Sequence, residues 1–251
     1  MAQSHHGMPC WYELSTSNIA DAQTFYANVL GWTVSDSGMP GMDYRIGSAD
    51  DAMVAGMMQA EAGMPTGWTL YFTVENCDKT AAEAAALGAT VIVPPADIPD
   101  TGRFSILTDP QGAGFGILQP LPGGMAGAFD QQKTGHGNWH EIITADPMAA
   151  LGFYQKLFGW TMTREMPMGP EMIYRIFACN GLEIGGTFAP SPAAPAYWKA
   201  YFGSASIQAS VAAIPAQGGK ILRGPDEVPG GSYSLQIEDN EGVRLALVGP
   251  M

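Results

Sequence analysis

The sequence predicts an α+β fold of four modules, each made of one strand, one helix and three further strands. This prediction depends first on a duplication, since the segment Trp11 to Trp32 recurs as Trp139 to Trp160. It depends second on the order of predicted elements, which runs twice within each copy. We place the first copy at residues 8–120, a linker at 121–135 and the second copy at 136–250.

The first module opens with an alternating strand at 10–14 and continues with a helix. Asn18 is a typical helix N-cap, apolar residues follow it at helical spacing, and Gly31 ends the helix. In the second copy Asp146 is the equivalent cap. Three short strands are predicted after the first helix, at 32–35, 43–47 and 52–58.

The second module repeats this order. It begins with the strand WTLYFTV, continues with an alanine-rich helix that Gly88 ends, and closes with strands between Pro- and Gly-bearing turns. The predicted bounds are 68–74 for the first strand, 77–87 for the helix, and 89–93, 104–108 and 115–118 for the last three strands.

Composition and charge narrow the classes of function. The chain is 46% apolar and 14% charged, and it has no apolar run long enough to span a membrane, so we expect a cytoplasmic protein. The net charge is −13, and residues 1–120 hold three basic and thirteen acidic side chains, which disfavours nucleic acid as a partner. We expect a small-molecule ligand and a monomer or homodimer. Three cysteines without a CxxC pair fit buried thiols in a reducing compartment.

Two pairs of motifs carry a resemblance to a known family. FYANVLGW and FYQKLFGW, together with DPQG and its counterpart DNEG, resemble the vicinal oxygen chelate superfamily of glyoxalase I, bleomycin-resistance proteins and extradiol dioxygenases. The paired copies are similar to the two-domain glyoxalase-like proteins of bacteria, which include a mycobacterial secreted antigen. The resemblance implies a curved, half-open mixed sheet around a cavity in each copy, with the helices outside.

The resemblance also implies positions for metal ligands, which this chain does not fill with His or Glu. Those positions hold Trp11, Thr69 and Gly116 in the first copy and Trp139, Lys199 and Ala246 in the second. We therefore expect no metal and no cofactor. A displaced site at His136, His140 and Glu141 is disfavoured, because residues four apart on a strand are about 13 Å apart.

The side chains that replace the ligands predict an aromatic cavity instead. Strand alternation places a set of residues on the inward face, from which we expect ligand binding by Trp11, Thr69, Tyr71, Trp139, Lys199 and Tyr201. Two interpretations of the tryptophans remain open. They offer a flat surface to an organic ring, or they simply fill the cavities.

Glu13 and Glu141 are the acids repeated on the first strands, and they are candidate catalytic residues. A buried carboxylate needs partners, which Arg45 and Arg175 or Tyr71 and Tyr201 are placed to supply. A raised pKa would suit a general acid or base, and a paired carboxylate would suit binding of a cationic or polyhydroxyl ligand. A structural ion pair between modules is the third interpretation.

Two classes of function follow. The first is a binding protein that holds a small organic molecule without a metal, as bleomycin-resistance proteins do. The alternative is an enzyme, a lyase, isomerase or dioxygenase-like detoxifying activity on a small carbonyl or aromatic compound. Such an enzyme would use Glu13 or Glu141, or a metal site that the sequence does not identify.

Overall fold

The computed structural model describes residues 5–39, 41–123, 127–169 and 172–251. Residues 124–126 of the predicted linker lie outside these ranges. In the described part of the chain, no helix is both long and apolar enough to cross a membrane.

The first copy forms eight strands and two helices in the order that the sequence predicts. They are β1 (Pro9–Thr16), α1 (Ile19–Leu30), β2 (Thr33–Asp36), β3 (Tyr44–Ala49), β4 (Ala52–Gln59), β5 (Gly67–Thr73), α2 (Cys77–Ala86), β6 (Thr90–Ile98), β7 (Gly102–Thr108) and β8 (Gly114–Pro120).

The second copy repeats this order. It forms β9 (Gly137–Ile143), α3 (Pro147–Phe158), β10 (Thr161–Pro167), β11 (Ile173–Cys179), β12 (Leu182–Phe188), β13 (Tyr197–Gly203), α4 (Ile207–Ala216), β14 (Lys220–Val228), β15 (Ser232–Glu238) and β16 (Arg244–Gly249).

The strands of each copy form one eight-stranded mixed sheet. The strand orders are β2-β3-β4-β1-β5-β8-β7-β6 and β10-β11-β12-β9-β13-β16-β15-β14. Within a module the last three strands are antiparallel, and the first strand pairs parallel with the fourth, as β1 does with β4. The predicted α+β class of four strand–helix–three-strand modules is confirmed.

The local signals for the first helix of each copy have their expected roles. The side chain of Asn18 accepts a hydrogen bond from the Asp21 N–H, and Gly31 ends α1 with a φ of 73°. The side chain of Asp146 caps α3 in the same way, through the Ala149 N–H.

One predicted strand end was wrong. The prolines after Val93 predict the end of β6, yet this strand continues to Ile98. It lies at the outside of its sheet, where a proline loses no ladder hydrogen bond on the open edge. The pairing with β7 shifts register between Val93 and Ala96, which takes up the two prolines.

The chain divides into two compact units, and each unit combines modules from both copies. Unit 1 contains Met1–Cys10, Leu70–Ala126 and His140–Trp198. Unit 2 contains Trp11–Thr69, Gly127–Trp139 and Lys199–Met251. The second module of one copy is therefore packed with the first module of the other copy.

In unit 1 the repeated motifs of the two copies form a hydrogen bond with each other through Tyr154 and Asp109. The Tyr154 hydroxyl, from FYQKLFGW, donates to Asp109 Oδ2, from DPQG, at 3.2 Å. Trp198 Nε1 donates to the same hydroxyl at 3.0 Å. Burial raises the pKa of Asp109, while the backbone N–H groups of its loop and Tyr154 oppose that shift.

Unit 2 repeats this network with the copies exchanged. The Tyr26 hydroxyl, from FYANVLGW, donates to Asp239 Oδ2, from DNEG, at 2.8 Å, and Trp68 Nε1 donates to Tyr26 at 3.2 Å. Asp239 Oδ1 also accepts from the N–H of Val243 at 2.8 Å. Each aspartate thus fixes its own loop and binds the helix of the other copy.

The segment before each copy also packs on the other copy. Trp160 Nε1 donates to the Gly7 carbonyl at 2.9 Å in unit 1, and Trp32 Nε1 donates to the Gly135 carbonyl at 2.8 Å in unit 2. His6 belongs to the same segment as Gly7, and its Nε2 lies 3.1 Å from the Leu157 carbonyl oxygen.

The buried side chains of unit 1 include His140 and all three cysteines, Cys10, Cys77 and Cys179. His140 Nδ1 lies 2.6 Å from the Ile184 carbonyl oxygen in β12, and burial lowers the pKa of this imidazole to about 4. Burial raises the pKa of Cys10 to about 12 and that of Cys179 to about 11. All three cysteines are buried and free, as expected.

We expect Tyr154→Phe and Tyr26→Phe each to lower the free energy of unfolding by about 1–3 kcal/mol, because a buried carboxylate loses a donor. Urea denaturation measures this. The control is Tyr197→Phe, at a half-buried position that takes no part in either pair. Equal effects in all three variants would show that these hydrogen bonds do not stabilise the units.

We expect the imidazole of His140 to remain neutral down to about pH 4. The unfolded chain binds this proton near pH 6.5. The unfolding free energy should therefore decrease as the pH is lowered from 6.5 to about 4, by up to roughly 3 kcal/mol from this group. NMR titration, with the resonance assigned by its loss in His140→Asn, measures the pKa. A midpoint near 6.5 would contradict the buried environment.

Candidate functional site

The candidate site of the first copy starts from the residues of β1 that share one face. Trp11, Glu13 and Ser15 alternate with Tyr12 and Leu14, and the latter two are fully buried on the opposite face. Trp11 is 7% exposed, whereas Glu13 and Ser15 are half-buried. Trp11 is therefore a wall of this face, and the Glu13 side chain beside it is the more accessible.

A tyrosine from β3 completes this group. The Tyr44 hydroxyl donates to Glu13 Oε2 at 3.0 Å and accepts from Trp11 Nε1 at 3.2 Å. Burial, and then the charge of Glu13, raise the pKa of Tyr44. The phenol therefore stays protonated and remains a donor to the carboxylate.

The Tyr44 ring reaches Glu13 because it crosses a glycine on the strand between them. Gly56 in β4 pairs with Glu13, and a Cβ atom on Gly56 would lie 1.9 Å from the Tyr44 hydroxyl oxygen. Any side chain at this position would displace the tyrosine. Gly56 is thus a positioning residue for the hydrogen bond between Tyr44 and Glu13.

The second copy repeats this arrangement in its own sheet. The Tyr174 hydroxyl donates to Glu141 Oε1 at 3.0 Å. The ring of Tyr174 lies over Gly186, where a Cβ atom would be 2.2 Å from the ring, and Gly186 pairs with Glu141. Glu141 is only 6% exposed. Two Tyr–Glu pairs therefore share one geometry but differ in access.

These tyrosines differ from the partners that the sequence suggests for the glutamates. Arg45 forms an ion pair with Asp43 at 3.2 Å, and Arg175 forms one with Glu165 at 2.8 Å. Because neighbours on a strand point to opposite faces, Tyr44 and not Arg45 reaches Glu13. The signal was present in the sequence, since Tyr44 and Gly56 both recur in the second copy.

On β5, Tyr71 covers Gly116, one of the positions where the family resemblance implies a metal ligand. Tyr71 is 4% exposed and pairs with Gly116, where a Cβ atom would lie 2.3 Å from its ring. Thr69 is half-buried on the same strand. The Tyr71 ring therefore fills the space above Gly116, so a ligand has no access to this position.

On β13, Lys199 is a buried cation. It is 5% exposed, its Nζ lies 3.0 Å from Gln236 Oε1, and it lies 6.0 Å from the centre of the Tyr201 ring. Tyr201 is also buried and pairs with Ala246. Trp139, on β9, is half-buried. Thr69 takes the place of Lys199 in the first copy, so the two sheets differ in charge.

The residues at the expected metal positions do not fit a metal ion. The Trp11 indole N–H is a donor and is already directed at Tyr44, and Gly116 lies under the Tyr71 ring. Within the described ranges, no group of three or more His, Cys, Asp or Glu side chains is arranged to hold an ion.

Comparison of the sequence with known proteins gives a family and close relatives. Residues 9–117 and 136–247 match the model of the glyoxalase/bleomycin resistance protein/dioxygenase superfamily. A putative glyoxylase, CFP32, of Mycobacterium bovis is 30% identical over 99% of this chain and 97% of its own length. The anthracycline biosynthesis protein DnrV of Streptomyces peucetius is 28% identical over 96% of this chain and 93% of its own.

Comparison of the structure with solved structures gives the same fold. The 2,3-dioxygenase LapB from Pseudomonas sp. KL28 superposes with a TM-score of 0.68 over 98% of this chain and 93% of its own, at 14% sequence identity. The family model covers most of both copies, and the relatives match nearly the whole chain. The chain therefore belongs to the glyoxalase/bleomycin resistance protein/dioxygenase superfamily.

Proposed function

We propose that this protein binds a small organic molecule on the sheet faces that carry its Tyr–Glu pairs, without a metal ion. The observation that carries the proposal is the group of Trp11, Tyr44 and Glu13. An indole and a phenol there form rigid aromatic walls, and a half-buried carboxylate offers an acceptor.

The chemistry of this group favours a ligand with a ring and hydrogen-bond donors. A carboxylate accepts hydrogen bonds and does not donate them, and Tyr44 already holds one oxygen of Glu13. The name of a relative agrees with a ring-containing ligand, since DnrV is an anthracycline biosynthesis protein. We also propose Thr69, Tyr71, Trp139, Lys199 and Tyr201 as further ligand-contacting residues.

The alternative function is an enzyme that uses Glu13 or Glu141 as a general base. The observation that favours it is the short distance between a protonated phenol and a carboxylate, 3.0 Å in both copies. The name of another relative, a putative glyoxylase, agrees with a small carbonyl compound as the substrate of such an enzyme. The two classes share the site and differ in whether the ligand is changed.

We expect Tyr44→Phe to weaken binding of a two-ring aromatic ligand such as 2-naphthol by about fivefold, because Glu13 loses the donor that fixes it. Tryptophan fluorescence measures the dissociation constant. Tyr174→Phe is the matched change in the second copy, and Trp11→Leu and Trp139→Leu remove the aromatic walls. Unchanged binding in all four variants would refute the proposed site.

We expect no turnover of methylglyoxal, with or without glutathione, and no stoichiometric transition metal after dialysis. Absorbance assays and elemental analysis of the purified protein measure these two properties. Turnover that disappears in Glu13→Gln or Glu141→Gln would establish the enzyme instead. A metal that survives dialysis would contradict metal-independent binding.

A further inference from the structure

The two copies differ at one position beside the Tyr–Glu pair, two residues after the glutamate. The first copy has Ser15 there, and the second copy has Ile143. The Ser15 Oγ atom is shielded from solvent and has no hydrogen-bond partner among the described residues. Ile143 is 2% exposed and fills the equivalent place with apolar atoms.

The serine hydroxyl is not required by the fold. A buried hydroxyl without a partner destabilises a protein, and the second copy shows that the same module accommodates an isoleucine at this position. A hydrogen-bond partner from outside the chain would remove this cost.

Ser15 and Glu13 lie on one face of β1, about 7 Å apart along the strand. Met58 is paired with both Ser15 and Tyr44 in the sheet and is half-buried. A methionine side chain adapts its shape easily, so it can move when a ligand contacts Ser15. Hence a ligand that lies along β1 reaches the carboxylate and the hydroxyl together.

Access and charge also distinguish the first copy. Glu13 is half-buried, whereas Glu141 is only 6% exposed. Residues 1–120 carry three basic and thirteen acidic side chains, which disfavour an anion near Glu13. A neutral group that donates a hydrogen bond, such as a hydroxyl, can reach the half-buried Glu13 and brings no negative charge to the acidic first copy.

We infer that the Tyr–Glu face of the first copy binds an uncharged aromatic molecule whose hydroxyl group is bound by Ser15 and Glu13. This inference rests on the proposed binding function and adds to it the copy, the polar contact and the ligand class. Ser15 is then a specificity-determining residue, and Ile143 closes the equivalent place in the second copy.

Two uncharged probes that differ by one hydroxyl group test the inference, namely 2-naphthol and naphthalene. Their dissociation constants are measured by tryptophan fluorescence for the wild type, Ser15→Ala, Ser15→Ile and Ile143→Ser, and thermal unfolding verifies that each variant is folded. We expect Ser15→Ala to weaken 2-naphthol binding by about fivefold and to leave naphthalene unchanged. We expect Ser15→Ile to weaken both probes more than about tenfold through steric exclusion.

The reciprocal variant Ile143→Ser is the control, and we expect it to leave the binding of both probes unchanged. If 2-naphthol binds the wild type and the Ser15 variants equally, the inference is wrong while the proposed function stands. Weaker binding in Ile143→Ser alone would place the ligand in the second copy and would also overturn the inference. If neither probe binds the wild type up to its solubility limit, the proposed function fails together with the inference.

Discussion

The hydrogen bond between a buried tyrosine of one copy and a buried aspartate of the other is the interaction on which each compact unit depends. Tyr154 bonds Asp109 in unit 1, and Tyr26 bonds Asp239 in unit 2. Each aspartate also accepts backbone N–H groups of its own loop, so one carboxylate orders a loop and joins two modules. The two kinds of motif that carry the family resemblance therefore contact each other. The tyrosine belongs to FYANVLGW or FYQKLFGW, and the aspartate belongs to DNEG or DPQG.

A second constraint determines the face of the sheet that carries the candidate site. Because Gly56 and Gly186 have no side chain, a tyrosine from the third strand of a module crosses the fourth strand and reaches a glutamate on the first. The result is a hydrogen-bonded Tyr–Glu pair in the sheet of each copy. Duplication preserved the pair, and the neighbouring residues Ser15 and Ile143 then made the copies different.

Much of the fold could be predicted from the sequence because its signals are local. Helix caps such as Asn18 and terminating glycines such as Gly31 act over a few residues, and both have the predicted roles. The exception was β6. The prolines after Val93 indicate the end of a strand, but a strand at the edge of a sheet accommodates them, because a missing N–H on the open edge removes no ladder hydrogen bond. Alternation requires that only one of the neighbours Tyr44 and Arg45 lies on the face of Glu13, but it does not decide which one.

The sequence by itself determined the duplication, the α+β module, the family resemblance and the presence of Trp11, Thr69 and Gly116 where metal ligands were expected. Only the tertiary structure decided that each compact unit takes its modules from different copies, that Tyr44 bonds Glu13, and that Tyr71 covers Gly116. The physical reason is the distance along the chain over which each interaction acts. Caps and alternation act between near neighbours, whereas these contacts join residues that are close only after distant strands have paired and packed.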